Sequence, residues 1–310
     1  MKKKVVVLFL LLGLFAMMGC AQDASNRASD AKTINIGIMP DFESVPFIIA
    51  QRNGYFEQEG VRVNIEHFSS AKDRDSALQS GKLDGVITDM VAVLFANEGG
   101  INLRMVARTD GNIQLIAGSE SGIIAVSELK GRDIGLSTNT IMEYTVDKML
   151  EAASLNPEEV DKVAIPPLPT RLEMLQGGKV SAIIIPDPLA GLAVSNGATV
   201  LSSTDEMANK CGAIAFTAQI LEEYPEEIKA IMRAYNQGVA YLLQEPASEY
   251  VEFIIEEQGF PAEVKGSFQL PEYGQAQLPA ESIFLDVVKW MHEKDLIKGS
   301  YEYKDLVAEL

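Results

Sequence analysis

Histidine and cysteine are scarce in this chain: two of each occur among 310 residues, His67 and His292 far apart, Cys20 and Cys211 equally so. Clustered ligands at metal spacing are therefore absent from the sequence, and if Cys20 is modified no internal disulfide can form. No G-x-S-x-G, Walker or G-x-G-x-x-G element occurs, so no catalytic or nucleotide motif is present, and neither cofactor nor metal is expected. Basic side chains are also short, 26 against 44 acids, for a net charge of −18. That balance excludes the basic footprint of a nucleic-acid binder. Long apolar runs are missing too, apart from Val5 to Met18, which is too short for a membrane span.

That single run has a specific context. Met1-Lys2-Lys3-Lys4 precedes it and Gly19-Cys20 follows it, the order of an export signal. Met17-Met18-Gly19-Cys20 resembles the lipobox of bacterial lipoproteins, with Met where Leu is usual at the first position. The resemblance implies a signal peptide over 1–19, lipidation of Cys20, and a polar tether over 20–32. The mature chain would then sit in the cell envelope, held to a membrane by its acyl chain and facing the periplasm or the exterior.

Beyond the tether, apolar runs of four to seven residues alternate with amphipathic stretches closed by glycine, which reads as βαβ and as an α/β fold with mainly parallel sheets. Strands are expected at Ile34–Met39, Val61–Phe68, Gly85–Thr88, Leu103–Ala107, Gln114–Ala117, Ile134–Ser137, Val163–Pro166, Ala182–Ile185, Thr199–Ser202 and Ala213–Thr217. Helices are expected to begin near Ser44, Ser70, Asp89, Thr140, Asn156, Thr170, Asp187 and Pro225, with a capping box at Thr170-Arg171-Leu172-Glu173. Val61–Glu66 alternates strictly and suits a sheet edge; Ala182–Ile185 does not alternate and suits a strand covered on both faces. Leu78–Asp89 is echoed by Leu175–Asp187 at an offset of 97, and Ile36–Met39 by Ile134–Ser137 at an offset of 98. Two echoes in the same order predict two lobes of like topology: 33–115 plus 214–310 for lobe one, 116–213 for lobe two. The two chain crossings between them would form a hinge.

Pro46-Phe47-Ile48-Ile49-Ala50-Gln51-Arg52-Asn53-Gly54-Tyr55-Phe56, running on to Gly60-Val61, together with Leu78–Asp89, Val126–Gly135 and the Pro167–Gly178 loop and helix, resembles the solute-binding proteins of ABC importers in the sulfonate, nitrate and thiamine-precursor branch. The resemblance covers about Ile34 to Leu243. It implies the two-lobed periplasmic-binding-protein fold of type II, a monomer that takes a small-molecule ligand between its lobes and delivers it to the transmembrane subunits of a permease.

In that fold the ligand lies beyond the carboxyl ends of the strands, where helices begin. The loops so placed nominate Asp41, Phe42, Glu43, Ser69, Ser70, Asp89, Asp110, Gln114, Ser137, Thr138, Asn139, Thr140, Tyr144 and Asp187. Phe42 and Tyr144 either stack on a flat ligand or pack under their own helices. Ser137 to Thr140 offer hydroxyls and an amide to a ligand or to the next helix start, and Asp89 and Asp187 either touch ligand or cap helices. Ser44 is an adequate cap for its own helix, which leaves Asp41 and Glu43 without that structural explanation. The cleft loops contain carboxylates and hardly any basic residue, Lys72 standing at a margin and Arg108 and Arg171 flanking. This favours a ligand with N–H donors or positive charge, such as a thiamine-precursor pyrimidine, over a sulfonate or nitrate. An enzyme reading is disfavoured, because the pyrimidine synthases related to this branch use a cysteine-rich segment, a lysine and a histidine, and the similar menaquinone-pathway lyases are cytosolic. A ligand-sensing partner of a membrane receptor stays open beside transport.

Overall fold

A computed structural model describes residues 32–310. The expected export signal, Cys20 and nearly all of the tether lie outside these residues. Among the described residues no helix is long and apolar enough to cross a membrane.

Among the described residues, ten strands form two five-stranded sheets. They are β1 (Thr33–Ile38), β2 (Arg62–His67), β3 (Gly85–Asp89), β4 (Leu103–Arg108), β5 (Ile113–Ala117), β6 (Asp133–Leu136), β7 (Asp161–Ala164), β8 (Ala182–Pro186), β9 (Thr199–Ser203) and β10 (Gly212–Thr217). One sheet has the order β2-β1-β3-β10-β4 and the other β7-β6-β8-β5-β9. Strand for strand these are the same topology, as the two sequence echoes anticipate. The register agrees as well, since Ile36 pairs with Gly85 and Ile134 with Ala182. Each sheet is mixed: β1 with β3, and β6 with both β7 and β8, run parallel, whereas β10 and β5 are antiparallel to both neighbours. The reversed strand in each sheet is the one the chain enters directly from the opposite sheet, so it arrives at the edge where its neighbours end.

Burial follows the sequence patterns. Edge strand β2 alternates between half-buried and exposed positions, and central β8 is buried throughout. The helices of seven residues or more are α1 (Val45–Arg52), α2 (Ala71–Gln79), α3 (Met90–Glu98), α4 (Ile141–Ala152), α5 (Leu168–Gln176), α6 (Leu189–Ser195), α7 (Pro225–Gln244), α8 (Val251–Glu257) and α9 (Glu281–Glu293). Three local expectations change. Strand β7 lies two residues earlier than expected and ends at Ala164, because Pro166 and Pro167 cannot supply ladder N–H groups. Helix α5 starts at Leu168 with proline in its first turn, so Thr170 is already inside it and caps nothing. Asn156 does cap and Glu159 completes the box, but only the 3-10 turn Pro157–Glu159 follows.

The C-terminal hundred residues do more than cover the first sheet. Helix α7 packs along α1, as expected. The 3-10 segment Ala262–Ser267, however, packs on α6 beside the second sheet, and α9 packs on α3 while reaching α4. At that junction Trp290 Nε1 donates to Asp147 (3.0 Å) and Tyr144 donates to Asp286 (2.7 Å). Lys294 donates to Glu143 and Asp147 (2.7 and 3.2 Å), and Lys162 also pairs with both acids. Burial opposes ionisation of Glu143, yet hydrogen bonds from Lys294, Asn139 and Lys162 outweigh it and hold its carboxyl below the ordinary value. Removing one lysine leaves buried carboxylates short of a partner. Lys294→Ala is expected to lower unfolding free energy by about 1–3 kcal/mol in urea titrations, whereas Lys289→Ala, at an exposed pair on the same helix, should change it by less than about 0.5 kcal/mol.

Candidate functional site

Between the two sheets lies a cavity of about 60 Å³. Its walls come equally from both sides: Met39, Asp41, Glu43, Ala71, Arg74, Thr88, Asp89 and Gly212 from the first, Ile113, Ser137, Thr140, Ile141, Met142, Pro166, Leu168 and Pro186 from the second. These are the carboxyl ends of β1, β3, β6, β7 and β8 together with the incoming ends of β5 and β10. A backbone hydrogen bond from Phe42 N–H to Asp187 C=O (3.2 Å) links the two sides beside it.

Each ionisable wall residue is positioned by local chemistry. Asp89 ends β3 and caps α3, its Oδ1 accepting from Ala92 N–H at 2.9 Å. Asp41 Oδ1 accepts from Glu43 N–H (3.0 Å) and so closes the turn after β1. Ser44 makes no side-chain cap, contrary to expectation: its hydroxyl turns back to the carbonyls of Met39 and Asp41, and Gln258 donates to it from beyond α8. Gly212 is required beside Glu43, since a Cβ there would collide with Thr109 Oγ1 and approach Glu43 Oε1 to 2.7 Å. Burial is the main influence on all three acids. It raises Asp41 to about 7 and Asp89 to about 6, with Arg74 opposing both, and it lifts Glu43 well above the ordinary range, reinforced by Asp41 and Asp89. Asp41 and Glu43 keep some exposure through the cavity itself.

Of the residues nominated from sequence, Asp41, Glu43, Asp89, Ser137 and Thr140 meet at the cavity. Ser137 accepts from Arg171 Nη2 (2.5 Å), and Thr140 caps α4 through Met142 N–H (3.2 Å). The others lie elsewhere. Phe42 is a core residue, 2 % exposed, with its ring edge-on to Phe268 at 5.0 Å and to Phe260 at 6.5 Å. Tyr144, 1 % exposed, belongs to the Trp290 junction. Both aromatics pack under helices and offer no face to the cavity. Ser70 caps α2 through Asp73, while Ser69 is exposed in a separate hollow of about 790 Å³. Asp110 pairs with Arg108 (2.7 Å) and anchors Gly274 N–H (2.8 Å). Asp187 turns its carboxylate to Asn112, Gln114 and Gly191 N–H, away from the cavity, and thereby occupies Gln114 as well. Thr138 and Asn139 are exposed, Asn139 in the left-handed region (φ 56°) with its N–H on Glu143.

Sequence reasoning missed Arg74. It is 3 % exposed, lines the cavity, and donates Nη1 to Ile87 C=O at 2.8 Å. The expectation of hardly any basic residue in the cleft, with only Lys72 at a margin and Arg108 and Arg171 flanking, is thereby corrected. A signal existed, because Arg74 stands 97 positions before Arg171 inside the repeat.

Two like α/β sheets facing one another across a cleft, with helix starts and strand ends at its walls, define the periplasmic-binding-protein fold. Within that class the chain belongs to the NMT1/THI5-like family, whose model matches residues 41–249. It is 25 % identical over 216 residues to a protein of Brachyspira hyodysenteriae named ABC transporter periplasmic binding protein, covering 65 % of this chain and 62 % of that relative's length. It is 24 % identical over 243 residues to the 4-amino-5-hydroxymethyl-2-methylpyrimidine phosphate synthase of Schizosaccharomyces pombe, covering 72 % and 69 %. Among solved structures it resembles the alkanesulfonate-binding protein SsuA of Xanthomonas axonopodis (TM-score 0.77, 17 % identity, 90 % of this chain and 98 % of that one). It also resembles the nitrate-binding protein NrtA of Synechocystis (TM-score 0.72, 13 % identity, 89 % and 84 %). At these identities the two structures share the fold with this chain.

A carboxyl whose pKa is raised by folding adds stability that is complete below its unfolded value and is lost as pH rises through its folded value. For Asp41 and Asp89 that window runs from 3.8 to about 6–7. The melting temperature of the unliganded protein should therefore fall by a few degrees between about pH 5 and about pH 8. Asp41→Asn combined with Asp89→Asn should make this profile shallower in differential scanning calorimetry, with Glu43 keeping its own share.

Proposed function

We propose that the protein is the extracytoplasmic solute-binding component of an ABC importer, capturing a small nitrogen-containing nutrient by lobe closure and delivering it to the permease. The observation that carries this reading is the cavity itself: a small void, walled equally by two sheets, onto which Asp41, Glu43 and Asp89 converge. Carboxyl groups in such a place hold protons they would lose in water, and a ligand with N–H donors or positive charge restores their ionised, hydrogen-bonded state. An aminopyrimidine of the thiamine-precursor type has donors of this kind. The names of the Brachyspira and Schizosaccharomyces relatives favour, respectively, the transport role and the pyrimidine class.

In this reading the lobes divide nearly as the sequence suggests, except that residues 113–115 go with β5 into the second lobe and residues 212–213 go with β10 into the first. Cleft opening bends the two crossings near 109–112 and 208–211, and the ligand side chains are Asp41, Glu43, Asp89, Ser137 and Thr140. The cavity wall holds no cysteine, histidine or lysine, which favours binding over catalysis. Cys20 carries the lipid that keeps the protein at the membrane.

A small-anion binder is the second reading, favoured by Arg74 in the cavity wall and by the sulfonate- and nitrate-binding structural neighbours. A thermal-shift panel separates the two. Stabilisation by 4-amino-5-hydroxymethyl-2-methylpyrimidine, with RT ln(1 + [L]/Kd) growth of the shift with concentration, is expected. Stabilisation by taurine or nitrate alone would reverse the assignment. For the anchor, Cys20→Ser should move the protein from the membrane fraction to the soluble one, read by immunoblot.

A further inference from the structure

The repeat places two buried arginines in equivalent positions. Arg74 on α2 and Arg171 on α5 are 97 residues apart, and each donates Nη1 to a carbonyl of the following strand, Ile87 (2.8 Å) and Ile184 (2.6 Å), again 97 apart. Each side-chain stem passes over a strand glycine. A Cβ on Gly37 would lie 3.2 Å from Arg74 Cγ, and one on Gly135 3.6 Å from Arg171 Cγ. Only the second arginine makes a hydrogen bond from every nitrogen: Arg171 Nε donates to Ile165 C=O (2.9 Å), and Nη2 donates to Ser137 Oγ (2.5 Å) and Pro166 C=O (3.2 Å).

Arg74 lacks those partners. Its Nε donates to Asp75 (2.9 Å), and its buried Nη2 lies 2.8 Å from the same oxygen as an ion pair without making a hydrogen bond. Where the second lobe offers the Ser137 hydroxyl, the first offers Met39, which has none to give. Thr88 Oγ1, also buried and also on the cavity wall, has no hydrogen-bond partner either. Thr88 Oγ1 without any partner, and Arg74 Nη2 held only through its ion pair with Asp75, leave unused hydrogen-bonding capacity on one cavity wall.

We propose that Arg74 and Thr88 form the acceptor subsite of the cleft, taking a neutral ligand acceptor, a ring nitrogen or carbonyl oxygen, in the place that Ser137 Oγ fills for Arg171. The acceptor is neutral because Asp75 already pairs with Arg74, and Asp41, Glu43 and Asp89 line the same cavity. An anion would add to four carboxyl groups facing one guanidinium. The ligand class is then a nitrogen heterocycle with an amino group beside a ring nitrogen, its N–H on the carboxylates and its ring nitrogen on Arg74 and Thr88. This rests on reading the cleft as a site for donor ligands.

Calorimetry tests it with 4-amino-5-hydroxymethyl-2-methylpyrimidine and with the same molecule carrying C–H in place of both ring nitrogens. Arg74→Gln and Thr88→Val should each weaken the pyrimidine on the order of tenfold or more and leave the ring-carbon analogue unaffected. Thr88→Val removes no hydrogen bond of the closed protein, so it decides the matter if Arg74→Gln does not fold. Wild-type affinity in the variants would overturn the acceptor subsite and leave the donor-ligand reading standing. Failure of the wild-type protein to bind the pyrimidine would overturn both.

Discussion

Asp41, Glu43 and Asp89 share one cavity of about 60 Å³ with a single guanidinium, and the cost of bringing them together must be offset by contacts elsewhere in the fold. Desolvation raises all three carboxyl groups, and Coulomb repulsion from Asp41 and Asp89 adds to it at Glu43. A protein evolved only to be stable would not gather them there. The elements that bring them together are those that build the fold: the turn after β1, the start of α3, and the incoming end of β10 with Gly212 beside Glu43. In the proposed reading, ligand binding and this electrostatic cost fall on the same few residues.

Closure against that repulsion is supported from outside the cavity. The Phe42–Asp187 backbone bond lies beside it, the Ala262–Ser267 segment packs on α6, and the α4–α9 junction holds Tyr144, Glu143 and Asp147 against Trp290 and Lys294. These contacts offset the cost of approaching carboxyl groups without entering the cavity. A ligand that neutralises the acids would add to them, which is how differential affinity shifts a two-state equilibrium.

Much of the fold was legible in the sequence because its signals are local. Ten strand positions, the edge character of β2, the buried β8 and the offsets near 97 all follow from periodicity and repetition along the chain. The departures have local causes too: prolines at 166 and 167 end β7 early and move the start of α5. The site was less legible, because a loop position does not tell which way its side chain turns. Asp187 and Gln114 satisfy each other, Phe42 enters an aromatic cluster supplied by residues more than two hundred positions away, and Tyr144 meets a C-terminal helix. Arg74 was hidden by its place in a helix that looks solvated, and only its twin in the second lobe betrays it.

What the cleft carries in the cell decides its ligand class. Native mass spectrometry of the protein purified from its own cells, with the retained ligand identified after denaturation, is the most direct measurement. A neutral or cationic nitrogen heterocycle bearing an amino group is the expected result, and retention of nitrate or an alkanesulfonate would contradict it.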